Sequence, residues 1–181
     1  MVEVDLETGE QFILTESCTI LRYLVASRGL ADHWYPKDLR QRAKVDNYFD
    51  WHHNNLRQGA GGLIFRKLFL PMISGKVVPK EALEFNEFYL VKSLKIMEKT
   101  LTDNAYLCGD QITIADIQAS HEVDQLKFLD FDLAGKYPHV AAWLHKVIDE
   151  NPHMLSHASK MRALAAANVR KQKKKSASAK L

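Results

Sequence analysis

The sequence predicts a mainly α protein, with a short β-hairpin and one helix ahead of an all-helical domain. Three observations carry this. Val2, Val4 and Leu6 alternate with Glu3 and Asp5, the period of a strand. From Leu39 onward Val45, Phe49, His52, Leu56, Ala60 and Leu63 recur at spacings of three and four, the period of one helix face. "ITIADI", residues 112–117, has the pattern of a helix start, with Thr113 and Asp116 placed to cap one another's backbone N–H groups and Ile112 and Ile117 placed to close over them.

In chain order, "ETGE" supplies a turn at Gly9, and Phe12 and Leu14 resume the alternation, so the hairpin is expected to carry one apolar face. At "LTESCTIL" the strand pattern gives way to a helix beginning near Ser17, with Ile20 and Leu24 on one side and a stop at Arg28-Gly29. "ADHWYP" is a connector. The long helix that follows is weakened at Gly59, Gly61 and Gly62, by ~1 kcal/mol each relative to Ala, which suits a bend or close approach by another backbone. Pro71 or Gly75 ends it. "VVPKEALEFNEFYLVKSLKIMEKTL" is the next helix, with Phe88, Val91, Leu94, Met97 and Leu101 expected inward. "HVAAWLHKVI" buries Val140, Leu144 and Val147, and "LSHASKMRALAAANV" is a terminal helix. The expected organisation is a hairpin-and-helix unit over 1–30, a linker over 31–36, a helical domain over 37–169 and a disordered basic tail over 170–181.

Composition narrows the function classes. No run approaches the ~20 apolar residues of a membrane helix, and the acidic N-terminus is unlike a signal peptide. Cys18 and Cys108 stand far apart without metal-ligand spacing, which fits a reducing compartment and no disulfide framework. The net charge of +3 becomes −3 once the six cations of residues 170–181 are set aside, so the folded body offers no basic face for nucleic acid. His52 and His53 are neighbours on a helix and diverge, which argues against a shared metal.

Thr15-Glu16-Ser17 poses the main functional question. A hydroxyl and an acid at a helix start are ordinary capping residues. The same groups, with free N–H donors and the positive dipole end, could instead bind a ligand carrying a carboxylate and an ammonium.

"FILTESCTIL", "ADHWYPKDLRQRAKVDNYFDWHHNNLRQGAGG", "CGDQITIADI" and "KYPHVAAWL" together resemble soluble glutathione transferases, and the second resembles theta-class members, particularly plant-type ones. The resemblance covers nearly the whole chain before the basic tail. It implies a glutathione-transferase C-terminal helical bundle over 37–169, preceded by the last hairpin and helix of a truncated thioredoxin-like domain. It implies conjugation of glutathione, as co-substrate, to small electrophiles, with peroxidase action on organic hydroperoxides as a related activity and no metal. Glu16 and Ser17 then hold the γ-glutamyl end of glutathione, while His53, Asn54 and Arg57 line the electrophile pocket. In the family the Ser that activates the thiol lies in an earlier βαβ unit, so Arg57 is the one catalytic candidate named within this chain. A homodimer is expected of a complete domain. The alternative is a non-catalytic helical module for dimerisation or interaction. Ala179, Lys180 and Leu181 resemble a C-terminal peroxisomal address, giving a cytoplasmic or peroxisomal expectation with an import receptor as partner.

Overall fold

The computed structural model describes residues 1–178; the Ala179-Lys180-Leu181 address lies outside the described residues. Strand β1 (Val2–Val4) pairs antiparallel with β2 (Gln11–Ile13), placing Val2 opposite Ile13, Glu3 opposite Phe12 and Val4 opposite Gln11. Opposed residues share a face. Phe12 therefore sits with Glu3, away from Val2 and Val4, and the single apolar face expected from alternation is corrected. The turn sets this register: the Asp5 carboxylate accepts from the N–H groups of Glu7 (2.8 Å) and Thr8 (2.9 Å), and Gly9 adopts φ +74°. Phe12 packs on Tyr23, ring centres 5.2 Å apart, and Glu3 accepts from Tyr23 and Arg28. Val2, Val4, Leu6 and Ile13 stay exposed.

Helix α1 (Ser17–Ser27) closes at Gly29, whose φ of +58° favours glycine. A 3₁₀ turn, Asp32–Trp34, leads to α2 (Leu39–Asn54), capped by the Asp38 carboxylate, which accepts from Gln41 N–H at 2.9 Å. The expected long helix continues past a break at Asn55 as two π-helical turns, Arg57–Gly61 and Phe65–Phe69, separated by α3 (Gly62–Ile64). Its last piece, α4 (Leu70–Ser74), stops at left-handed Gly75. Then come α5 (Glu84–Asp103), α6 (Ile114–Asp124), α7 (Leu133–Lys136), α8 (Pro138–Leu144) and α9 (Pro152–Ser178).

The face read from sequence on the long helix is buried throughout, from Val45 to Leu63. A Cβ added at Gly59 would stand 2.4 Å from the backbone nitrogen of Leu90, so the glycine permits the close approach of α5. Asn86 fastens the same contact, donating to the Gln58 carbonyl at 2.6 Å. This contact decides which side of α5 faces inward. Leu90, Leu94, Met97 and Leu101 are buried, whereas Phe88 and Val91, expected in the core, are exposed. The helix carries apolar residues on more than one face, so periodicity alone did not identify the inner one.

Helix α6 is the centre of the bundle, with Ile114, Ala115, Ala119 and Val123 buried. Its N-terminus is a capping box: Thr113 Oγ1 accepts from Ala115 N–H (3.2 Å) and Asp116 from Thr113 N–H (2.9 Å). Asp116 does more than cap. It is fully buried and also accepts from Leu107 N–H (2.9 Å), Trp143 Nε1 (2.9 Å) and the Thr113 hydroxyl (3.1 Å). Burial pushes its carboxyl above the usual value, against the pull of these donors. Nearby, Glu98 on α5 accepts from the N–H groups of His139 (3.1 Å) and Val140 (3.0 Å), capping α8 from another helix.

Arg162 anchors α9, donating to Asp124 (Nε to Oδ2, 3.0 Å) and to Asp149 (3.2 Å). The backbone of α9 is helical through Ser178 and so runs into the basic segment that begins at residue 170. Lys, Gln, Arg and Ala are good helix formers, and extending an anchored helix escapes the cost of nucleation.

Two consequences are measurable in urea melts. Asp116→Ala should cost about 3 kcal/mol, because it strands donors from three separate segments rather than one cap. Gly59→Ala should cost more than about 2 kcal/mol, since backbone rather than a movable side chain occupies the space. A loss below about 1 kcal/mol in either would contradict the packing described.

Candidate functional site

The start of α1 differs from an ordinary capped helix. Glu16 occupies the cap position at φ 63°, ψ 113°, and no side chain accepts a hydrogen bond there. Positive φ in a non-glycine residue is unfavourable, and such strain persists where surrounding structure enforces it. Thr15, Glu16 and Ser17 are exposed. Neither Thr15 nor Ser17 acts as the side-chain cap that one sequence reading assigned to them. The first turn thus presents unengaged N–H groups beside an acid and a hydroxyl, an anion-favouring end with a carboxylate at its rim.

This end of α1 lies against α2. Cys18 is buried with its sulfur 3.6 Å from His53 Nε2. Burial pushes the Cys18 thiol up, with partial relief from Ser17, Arg22 and Arg57, which disfavours the thiolate. Further along, Arg22 pairs with Asp46 at 2.9 Å and covers the Phe49 ring, its guanidinium carbon 4.7 Å from the ring centre. The hairpin-and-helix unit is thereby held on the helical domain.

Of the three residues assigned to the electrophile pocket, each has a different local role. His53 is exposed beside Cys18. Asn54 is exposed and donates back to the Asp50 carbonyl at 3.2 Å. Arg57 donates to the buried carboxylate of Glu122. No hydrogen bond joins the three to one another among the described residues. Behind Arg57 runs a buried polar chain that sequence reasoning did not find. Glu122 is 3.7 Å from His52 Nε2, and His52 Nδ1 is 3.2 Å from the Tyr48 hydroxyl. Burial works against the Glu122 charge, yet His52 and Arg57 hold its carboxyl below the usual range. Burial pushes the Tyr48 hydroxyl well up, reinforced by Asp116 and Glu122. The available signal was Glu122 itself, an acid lying between the inward positions Ala119 and Val123.

Beside Arg57 opens a cavity of about 560 Å³, lined in part by Gly61, Gly62, Phe65, Arg66, Asn86 and Glu122. A second one, of about 420 Å³, lies between α2 and α5 near Lys44, Trp51 and Cys108. Burial pushes the Cys108 thiol up to about 12.

Comparison with known proteins agrees with this architecture. The profile of the glutathione S-transferase C-terminal domain matches residues 63–151. Mouse glutathione S-transferase theta-2 is 42% identical over 137 residues, 75% of this chain and 56% of that protein. Chicken glutathione S-transferase theta-1 is 36% identical over 137 residues, 75% of this chain and 52% of that protein. A human theta-class glutathione transferase, solved with the glutathione conjugate of 1-menaphthyl sulfate, superposes with a TM-score of 0.79 at 35% identity, covering 89% of this chain and 67% of that one. The chain belongs to the theta class of the glutathione S-transferases. It spans a little over half the length of the curated theta-class proteins it matches. The uncapped start of α1 and the Arg57–Glu122 pair each set polar groups on this scaffold.

Ser17→Ala should leave stability within about 0.5 kcal/mol of the parent, because its hydroxyl caps nothing. A loss of about 1 kcal/mol or more in a thermal melt would restore the capping role.

Proposed function

We propose that the chain belongs to an enzyme that conjugates glutathione to small electrophiles, with Glu16 and Ser17 at the γ-glutamyl end. The observation that carries this is the uncapped, exposed first turn of α1 with Glu16 held at positive φ. Glutathione's γ-glutamyl group has one carboxylate and one ammonium. The helix N–H groups and the Ser17 hydroxyl suit the carboxylate, and Glu16 suits the ammonium. The known complex of a theta-class relative with a glutathione conjugate supports glutathione as the co-substrate. His53, Asn54 and Arg57 are assigned to the electrophile side. A free thiol has pKa ~8.5, so conjugation needs a donor to stabilise the thiolate or the departing group. Arg57 is the candidate within this chain, its guanidinium pinned by Glu122 with donors left over. The same thiolate could reduce organic hydroperoxides.

Two further assignments accompany this reading. The exposed Phe85, Phe88 and Val91 on α5 form a stripe suited to self-association, so a homodimer is expected. Ala179, Lys180 and Leu181 are assigned to peroxisomal import on their residue types alone. Fusing residues 170–181 to a fluorescent protein should give peroxisomal puncta that vanish when Leu181 is deleted. Diffuse fluorescence in both would remove the assignment.

The site is tested by calorimetric titration of the chain with glutathione. Glu16→Gln and Ser17→Ala should each weaken binding about tenfold, the scale of one charge-assisted contact, with unchanged melting temperature. Equal affinity in all three proteins would overturn the site. If glutathione binds but no saturable turnover of alkyl halides or epoxides follows, and Arg57→Ala changes nothing, the chain is a non-catalytic interaction module.

A further inference from the structure

Two residues that line the cavity beside Arg57 each carry a buried oxygen that accepts no hydrogen bond. Glu122 and Asn86 are 3% and 4% exposed, and Glu122 Oε2 and Asn86 Oδ1 have no hydrogen-bond partner. Both residues line this cavity. Burying an unpaired carboxylate or amide oxygen costs free energy, so one on each of two residues lining a single cavity points to a donor from outside the chain. The wall beside them is glycine. A Cβ at Gly61 would stand 3.6 Å from both Glu122 oxygens, and one at Gly62 would meet the Asn86 amide nitrogen at 2.2 Å. At Gly61 the helix is bare where a side chain would cover Glu122, and at Gly62 the Asn86 amide itself fills the space. Gly61 and Gly62 have ordinary helical angles, so backbone conformation does not demand glycine at either position.

The surrounding charges restrict what can enter. Arg57 is already paired with Glu122, and Arg66 forms no ion pair among the described residues. The cavity therefore holds two guanidinium groups against one carboxylate. A cationic donor is disfavoured, and a monoanion carrying a neutral N–H or O–H is matched. Ile64, Phe65 and Phe69 add apolar wall, and about 560 Å³ accommodates a small amphipathic molecule.

We propose that this cavity binds small N-acylated amino acids, the carboxylate on Arg57 and Arg66, the amide N–H directed to the Glu122 and Asn86 oxygens, and the apolar acyl group against Phe65 and Phe69. This shares Arg57 with the electrophile pocket and so deepens that reading, while making a demand of its own: a neutral donor adjacent to the anion.

The experiment titrates the 181-residue chain with N-benzoylglycine, without glutathione, by calorimetry. Two analogues isolate the contacts: 3-benzoylpropionate, which replaces the N–H by CH₂, and the methyl ester of N-benzoylglycine, which lacks the anion. N-Benzoylglycine should bind at least about tenfold more tightly than either, because a site with buried acceptors rejects a molecule that leaves them unpaired. Gly61→Ala is the decisive variant. Its methyl sits at van der Waals distance over Glu122, so the melting temperature should hold or rise while N-benzoylglycine affinity falls at least about tenfold. Arg66→Met should lower affinity without altering the preference for N–H over CH₂. Absence of saturable binding, equal affinity for the N–H and CH₂ compounds, or unchanged binding by Gly61→Ala would each overturn the proposal. So would loss of N-benzoylglycine binding in Glu16→Gln, which would transfer the ligand to the glutathione site. Failure of glutathione itself to bind bears on the conjugation reading and leaves this titration intact.

Discussion

A single buried carboxylate, Asp116, fixes the arrangement around which the helices assemble. It joins the start of α6, the 107–113 loop and Trp143 of α8 through bonds to three separate segments. α6 carries two further buried acids, each answered from another part of the chain, Glu122 by Arg57 and Asp124 by Arg162, with Lys127 adding a local pair to Asp124. This matters because α6 is buried on nearly every side, so its apolar residues alone do not specify its rotation about its axis. The acids do. Turning the helix would leave a buried charge unpaired, at several kcal/mol per group. Electrostatic pairing supplies uniqueness where hydrophobic burial supplies only cohesion.

The sequence revealed the bundle because local signals and the tertiary contacts agree there. The Thr113–Asp116 cap, the inward face from Val45 to Leu63 and the stop at Gly75 stand as the residue patterns indicate. It was less informative where one pattern admitted two solutions. On α5 the choice of inner face came from a neighbour, through the fit of Gly59 against Leu90. In the hairpin, Asp5 and Gly9 set a register that alternation alone did not specify. In the basic segment, charge argued for disorder while the helix already running from Pro152 favoured continuation.

The candidate site was half legible for a related reason. Glu16 and Ser17 were visible as residue types, but whether they cap or recognise depends on backbone angles and on bonds not made. Those are properties of the folded chain. Arg57 could be singled out, whereas its partner Glu122 lies 65 residues away. No local rule connects them.

The π-helical turn at Arg57–Gly61 has a bearing on how this part of the chain tolerates change. Such a turn is an α-helix that has absorbed one surplus residue without breaking. The residues before and after it are consequently in different rotational frames, offset by about 100° from a continuous α-helix. Removing one residue between 57 and 61 would let the segment relax to regular α geometry and leave everything beyond it in its present frame. Leu63 and Ile64, now buried, would stay buried, and half-exposed Phe65 would keep its bearing. A one-residue deletion here is therefore a loss of the bulge, whereas the same deletion in a regular α-helical stretch would turn all that follows by about 100°.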